Sequence, residues 1–233
     1  MDMDVNAIHQ GYLRAARAKG AEIVTNAEVS ALERRGGAWH ARTKAGEFSA
    51  PVVINAAGAW ADVVAGLAGA RKIGLQPKRR TVIVFDGPTG LDMGKYPIAA
   101  DCAEQFYFKP ESGRVLASPA DETPVEPQDV QPEEIDIALV VDRVEQASTL
   151  KVERIVRRWA GLRSFVKDKN PVVGFAPDAQ GFFWLAGQGG YGIQTSYAMG
   201  LTAAALATGK GVPEALQPYG LTESGLGPQR LWS

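Results

Sequence analysis

Cysteine is almost missing from this chain of 233 residues: Cys102 stands alone, which excludes an internal disulfide framework and every paired-thiol metal or redox motif. Histidine is nearly as scarce. His9 and His40 have no ligand spacing around them, so no metal centre is expected. An excess of charge of one sign is lacking too: 25 Lys and Arg face 26 Asp and Glu, and a formal charge of -1 offers nothing to drive binding to a nucleic acid backbone. No apolar run nears the roughly 20 residues that span a bilayer. The closest, Tyr197 to Thr208, is short and rich in Ala and Gly, and the start Met-Asp-Met-Asp has neither the basic head nor the apolar core of a signal peptide. A soluble, cytoplasmic protein without a transmembrane segment follows as the expectation. Serine elbow, P-loop and HExxH are all absent, which removes support for hydrolase and kinase readings, and the glycine loop at 187–192 is not read as the primary dinucleotide fingerprint.

Glycine, by contrast, is plentiful at 26 residues, and its placement organises the chain. Asp4 is placed to cap a helix over Val5 to Lys19, with Ile8, Tyr12, Leu13 and Ala16 at helical spacing and Gly20 as the stop. Short strand-like runs follow at Glu22–Thr25, Glu28–Arg35, Ala38–Thr43 and Glu47–Ala50. Val52–Ala57 is a continuous apolar strand, expected to be covered on both faces, that ends at Gly58 before a helix from Ala59 to Leu67. From Pro77 the pattern turns to longer β segments: a strand over Arg80–Phe85, and a hairpin of Gln105–Lys109 with Arg114–Ser118 that puts Phe106 and Phe108 on one face and Tyr107 on the other. Pro119–Asp136, with four prolines, seven acidic residues and no Lys or Arg, reads as a solvated loop, and Ile137–Trp159 as one helix or as two broken near Ser148-Thr149. Phe182–Ala186 is a strand, Gly187–Gly192 a glycine loop and Ile193–Thr208 a helix of small residues. The fold class is therefore α/β plus α+β: a mixed or antiparallel-sheet domain at 76–160 inserted into a nucleotide-binding type of domain at 1–75 and 161–233.

Four glycines within Gly187–Gly192 let backbone amides approach a flat or anionic ligand without an intervening Cβ, and a helix N-terminus behind them adds positive partial charge. A tight turn explains one or two of these glycines, hardly four. Arg80 at a strand start, Arg163 after Trp159-Ala-Gly-Leu, and Tyr107 on the polar side of its hairpin are the anion-binding candidates, although an arginine is by default a surface charge.

Asn26-Ala-Glu-Val29, Val52-Val-Ile-Asn-Ala-Ala-Gly-Ala-Trp60, Gly161-Leu-Arg-Ser-Phe165 with Asp168 and Pro171-Val-Val-Gly174, and Ala186-Gly-Gln-Gly-Gly-Tyr-Gly-Ile-Gln-Thr195 together resemble, in order and spacing, the D-amino-acid oxidase superfamily of FAD-dependent oxidoreductases. Within it the run Gly189–Gln194 is most similar to the bacterial D-arginine dehydrogenases. The resemblance implies a partial two-domain FAD-binding oxidoreductase fold, FAD as cofactor, and oxidation of an amino-acid substrate. In this likeness Val29 meets the adenosine end of FAD, Ala57, Gly58 and Trp60 lie near its pyrophosphate and ribityl chain, and Gly190, Tyr191, Gly192, Ile193 and Gln194 hold the isoalloxazine ring. Arg80, Arg163 and Tyr107 bind the substrate carboxylate, and the Gly190 carbonyl accepts from the substrate amine. Oxidation of a D-amino acid to an imino acid is the expected reaction. Glycine, sarcosine or an L-imino acid as substrate, and a non-catalytic remnant serving as a binding module, are its alternatives.

In this resemblance the strand, GxGxxG and helix that open the superfamily's FAD fold are missing ahead of the matched motifs, and residue 1 is expected to correspond to a point well inside such proteins. The expectation is that this polypeptide alone binds FAD weakly or not at all, and is completed by a missing N-terminal part or associates with itself. Ile98 and Ala100 also depart from the bulkier pattern of D-arginine dehydrogenases.

Overall fold

One side chain sets the first helix: the Asp4 carboxylate accepts from the Ala7 amide at 2.8 Å, and α1 runs Val5–Ala18. The computed structural model describes residues 3–90 and 92–232. Behind α1, the strands β1 (Val29–Arg35), β2 (Ala38–Thr43) and β3 (Gly46–Ala50) form an antiparallel meander. Glu22–Thr25, expected as a strand, forms none; Ile23 and Val24 stay exposed, and a β-prone run without a partner strand has nothing to pair with. The apolar run that follows yields a three-residue strand, β4 (Val53–Asn55), then a short 3₁₀ turn over Gly58–Trp60 and α2 (Ala61–Leu67). Coverage on both faces is not realised, since Ile54 is 46% exposed while Asn55 is buried.

The chain then builds a second unit, Leu75–Lys169. Its longest strands are β5 (Gln76–Phe85) and, further on, β10 (Ile155–Phe165); between them lie β6 (Ala99–Ala100), β7 (Tyr107–Glu111), β8 (Arg114–Ser118), β9 (Thr123–Pro124) and α3 (Glu134–Ala147). The sheet order is β10-β5-β8-β7-β6, with β9 pairing against β5. Ser112 and Gly113 both take positive φ, 50° and 80°, the turn that joins β7 to β8 with the correct twist. Ile83, Phe85, Val115 and Ala117 pack with Ile137, Val140 and Val144 of α3, and Phe106 stacks on Phe108 beside them.

Two expectations are corrected in this unit. Helix was expected over Ile137–Trp159, but α3 ends at Ala147 and residues 155–165 form β10. The β-branched and aromatic run Ile155-Val-Arg-Arg-Trp159 pairs with β5 from Phe85 to Gln76, and this pairing outweighs a helical reading of a few apolar positions. The acidic stretch 119–136 is not simply solvated. Its Asp121 and Asp136 side chains are buried against arginine, and Val130 is in the core.

The chain returns to the first unit, which comprises Met1–Gly74 and Asn170–Ser233. The return falls at residue 170 because β10 carries through to Phe165 within the second unit, past the boundary expected at 161. Here β11 (Val172–Phe175) pairs antiparallel with β12 (Phe182–Ala186), which in turn runs parallel to β4 with Phe182 opposite Val53 and Trp184 opposite Asn55. The helix after the glycine loop, α4 (Ser196–Ala207), starts three residues later than expected; it packs Ala203 and Leu206 on Val173 and Phe183, and α5 (Glu223–Leu226) adds Leu226 to that cluster.

Candidate functional site

In the second unit, register decides which side chains meet. Antiparallel pairing sets Tyr107 opposite Ser118 and Arg80 opposite Gly161, with Arg163 two residues beyond Gly161 and opposite Lys78. Directly paired residues share a face, and diagonal neighbours are within reach of long side chains. Tyr107, Arg80 and Arg163 thus stand on one face of the sheet, the one turned away from α3. Gly161 contributes no side chain there, and a Cβ built on it would meet nothing within 4 Å, so open ground lies beside Arg80.

Arg80 is 9% exposed. Burial, and after it the like charge of Arg163, hold its guanidinium below the ordinary arginine value, while Tyr107 and the carboxylates of Asp121 and Glu122 act the other way. Its Nε donates to the Asp121 carbonyl at 2.8 Å and Nη2 to Glu122 Oε1 at 3.3 Å. Arg163 is half-buried, and its side chain makes no hydrogen bond or ion pair among the described residues. Two guanidinium groups that repel one another beside an open space form a site that an added carboxylate would neutralise, with each charge-assisted hydrogen bond contributing about 1.5–3 kcal/mol.

In the first unit the parallel pairing of β4 and β12 brings their carboxyl ends side by side, so the segment holding Ala57, Gly58 and Trp60 and the loop Gly187–Gly192 leave the sheet at one edge. The carboxyl edge of parallel strands is where open α/β sheets bind ligands. Gly58 takes φ +56°, and Trp60 beyond it is 45% exposed. In the glycine loop the Tyr191 amide donates to the Gln188 carbonyl and the Thr195 amide to the Tyr191 carbonyl, at 3.0 and 3.1 Å. The amides of Gly192, Ile193 and Gln194, just ahead of α4, make no hydrogen bond among the described residues. A Cβ on Gly192 would come within 3.1 Å of Gln188, so the close approach of that side chain favours glycine there, and Tyr191 is 60% exposed. Unpaired amides, a helix N-terminus and a bare backbone suit a flat ring with an electron-rich edge, so these residues fit a flavin. Val29 is the half-buried first residue of β1, the strand that α2 contacts. A cavity of about 580 Å³ lined by Gly174, Leu206, Glu223 and Arg230 contains none of the expected site residues.

Sequence reasoning missed the carboxylates around Arg80. Asp121 and Glu122 were hidden in a stretch whose composition suggests solvent, and the only signal was their place just ahead of the short strand that pairs with β5. Among the described residues no cluster of His, Cys, Asp and Glu suits a metal ion, and no helix is long and apolar enough to cross a membrane.

The first unit carries a three-stranded sheet with one parallel pair, and the second a sheet face that bears Arg80 and Arg163. The comparisons are specific: residues 2–206 match the DAO family, FAD dependent oxidoreductase, and the chain belongs to that family, whose cofactor is FAD. It is 28% identical over 220 residues to the uncharacterized oxidoreductase YurR of Bacillus subtilis (91% of this chain, 57% of that protein) and 28% identical over 196 residues to the glycine oxidase of the same organism (82% and 50%). The crystal structure of glycine oxidase from Geobacillus kaustophilus superposes with a TM-score of 0.72 at 25% identity, covering 88% of this chain and 54% of that one. The chain therefore spans about half the length of the relatives it matches.

Proposed function

We propose that this chain carries the substrate site and part of the flavin site of an FAD-dependent oxidoreductase that oxidises the Cα–N bond of a D-amino acid. The single observation that carries this reading is the pair Arg80 and Arg163, mutually repelling and facing the open ground left by Gly161. The pair grips the substrate carboxylate, bidentately where the guanidinium fork allows, with Tyr107 on the same face as a third donor. Gripping that end fixes the orientation of Cα and its hydrogen. The substrate amine must be neutral for its lone pair to form the C=N bond as the Cα hydrogen departs with its electron pair. FAD, when bound, supplies the two-electron acceptor. Val29, Ala57, Gly58 and Trp60 would hold its nucleotide side, and Gly190, Tyr191, Gly192, Ile193 and Gln194 its ring, with the unpaired amides ahead of α4 offering positive partial charge to its electron-rich edge. Water then hydrolyses the imino acid to a 2-oxo acid and ammonia.

A second reading, with glycine as substrate, is favoured by the similarity to the two glycine oxidases. Anaerobic mixing of the FAD-loaded protein with D-alanine, D-arginine, glycine, sarcosine and L-proline tests both. Bleaching of the visible flavin absorbance by a D-amino acid supports the first reading, bleaching by glycine or sarcosine alone supports the second, and no bleaching by any of them overturns both.

A further inference from the structure

We propose that Asp121 is the positioning residue of the carboxylate site: it straddles β5, with its side chain anchored on one face of the strand and its peptide carbonyl holding Arg80 on the other. The inference rests on the carboxylate reading of Arg80 and Arg163 above.

The geometry has two halves. On the α3 side, the Asp121 carboxylate accepts from the Thr81 amide at 2.7 Å and from the Thr81 hydroxyl at 3.1 Å, and Arg79 Nε lies 3.7 Å from Oδ2. Thr81 is fully buried, so these bonds are shielded from water. On the opposite side, Arg80 Nε donates to the carbonyl of the same residue at 2.8 Å. The next residue, Glu122, takes Nη2 at 3.3 Å, while Nη1 makes no hydrogen bond among the described residues. One guanidinium edge is thereby held by protein and the other is left for a ligand. Arginine has a long, rotamer-rich stem, and fixing the plane of its head before the ligand arrives reduces the ordering cost of binding.

The backbone must be held for this to work. Ala120, just before Asp121, takes φ +55°, a conformation that a residue with a Cβ adopts only when its surroundings impose it. The surroundings that impose it are the Ala120 amide on Ser118 Oγ at 3.2 Å, the pairing of β9 with β5, and the two Thr81 bonds to Asp121. Of these, only the Asp121 carboxylate ties the carbonyl that meets Arg80 to a fixed point within the same residue. Burial pushes the Asp121 carboxyl up from its ordinary value, with Asp136 adding to the rise and Thr81 and Arg80 opposing it, so the group is kept in place against a real desolvation cost.

Calorimetric titration of the whole chain with benzoate, a carboxylate without an amine, tests the inference on the native protein, Asp121→Ala, Asp121→Asn and Arg163→Ala. Asp121→Ala is expected to bind at least tenfold more weakly. Asp121→Asn keeps an acceptor for the Thr81 amide and is expected to restore affinity to within a few-fold of native. A merely structural role would lower the unfolding temperature but leave the folded fraction binding as tightly as the native chain. In the FAD-loaded protein the loss should appear in KM with kcat held. Native affinity in Asp121→Ala alongside weakened binding in Arg163→Ala overturns the positioning role and spares the carboxylate reading. Native affinity in Arg163→Ala overturns both. Should Asp121→Ala not fold, Thr81→Val decides: it removes one anchor with an isosteric side chain, a several-fold loss supports the role, and unchanged binding overturns it.

Discussion

Arg79 and Arg80 are consecutive residues of one strand, and the alternation of β5 sends them to opposite faces of the sheet with opposite fates. Arg79, 5% exposed, meets Glu133, Asp136 at 2.9 Å and Asp121 at 3.7 Å, and its guanidinium is held above the ordinary arginine value, chiefly by the Glu133 hydrogen bond. Arg80, almost as buried, is held below it by burial and by Arg163. The first arginine is neutralised from within the fold. The second has a like charge and open space where further counter-charge could sit. The lesson is that burial alone does not separate a structural arginine from a ligand-binding one; the balance of counter-charge around it does.

The contrast can be broken most forcefully on the Arg79 side. Arg79→Met leaves Asp121, Asp136 and Glu133 without their shared cation, two of them buried, and is expected to destabilise the chain by about 3–5 kcal/mol, read as a lowered urea midpoint at unchanged slope. A loss below about 1 kcal/mol would mean that Arg79 does not differ in kind from Arg80. On the Arg80 side, Gly161→Val fills the open ground while adding a β-branched residue to a strand. Carboxylate affinity should fall several-fold with stability unchanged or slightly raised, as measured by titration and thermal unfolding. The smallest effect concerns acid. Glu122 is held below its ordinary value first by Lys78 at 2.8 Å and then, after an opposing desolvation, by the charges of Lys78 and Arg80. Its folded pKa is the lower one, so its contribution is present above the unfolded pKa and is lost as pH falls through the folded value. Glu122→Gln should flatten the fall of unfolding temperature between about pH 5 and 3. Asp121, whose pKa is raised, contributes the opposite slope and remains in the variant.

How much of this could be read from the residues varied with how local the signal was. Asp4 and the small turn at Ser112-Gly113 are local, and the structure has the expected α1 cap and the β7–β8 hairpin. The glycine loop between an apolar strand and a helix was equally legible, because both neighbours and the glycines are contiguous in sequence. What escaped depends on pairing between distant segments. Ile155–Phe165 becomes a strand only because β5 lies beside it, and the burial of Asp121 follows from β9 reaching the same strand. The candidate arginines were picked by type and position, but their juxtaposition across Gly161 is a property of register, which no single-segment pattern contains.

The central claim, that Arg80 and Arg163 read a substrate carboxylate, is tested most directly by an amino acid and its amide. For the FAD-loaded chain, kcat/KM for D-alanine should exceed that for D-alaninamide by tenfold or more, and Arg163→Ala should reduce this ratio to a few-fold by lowering only the D-alanine value. An equal ratio in the native chain and in Arg163→Ala would contradict the account.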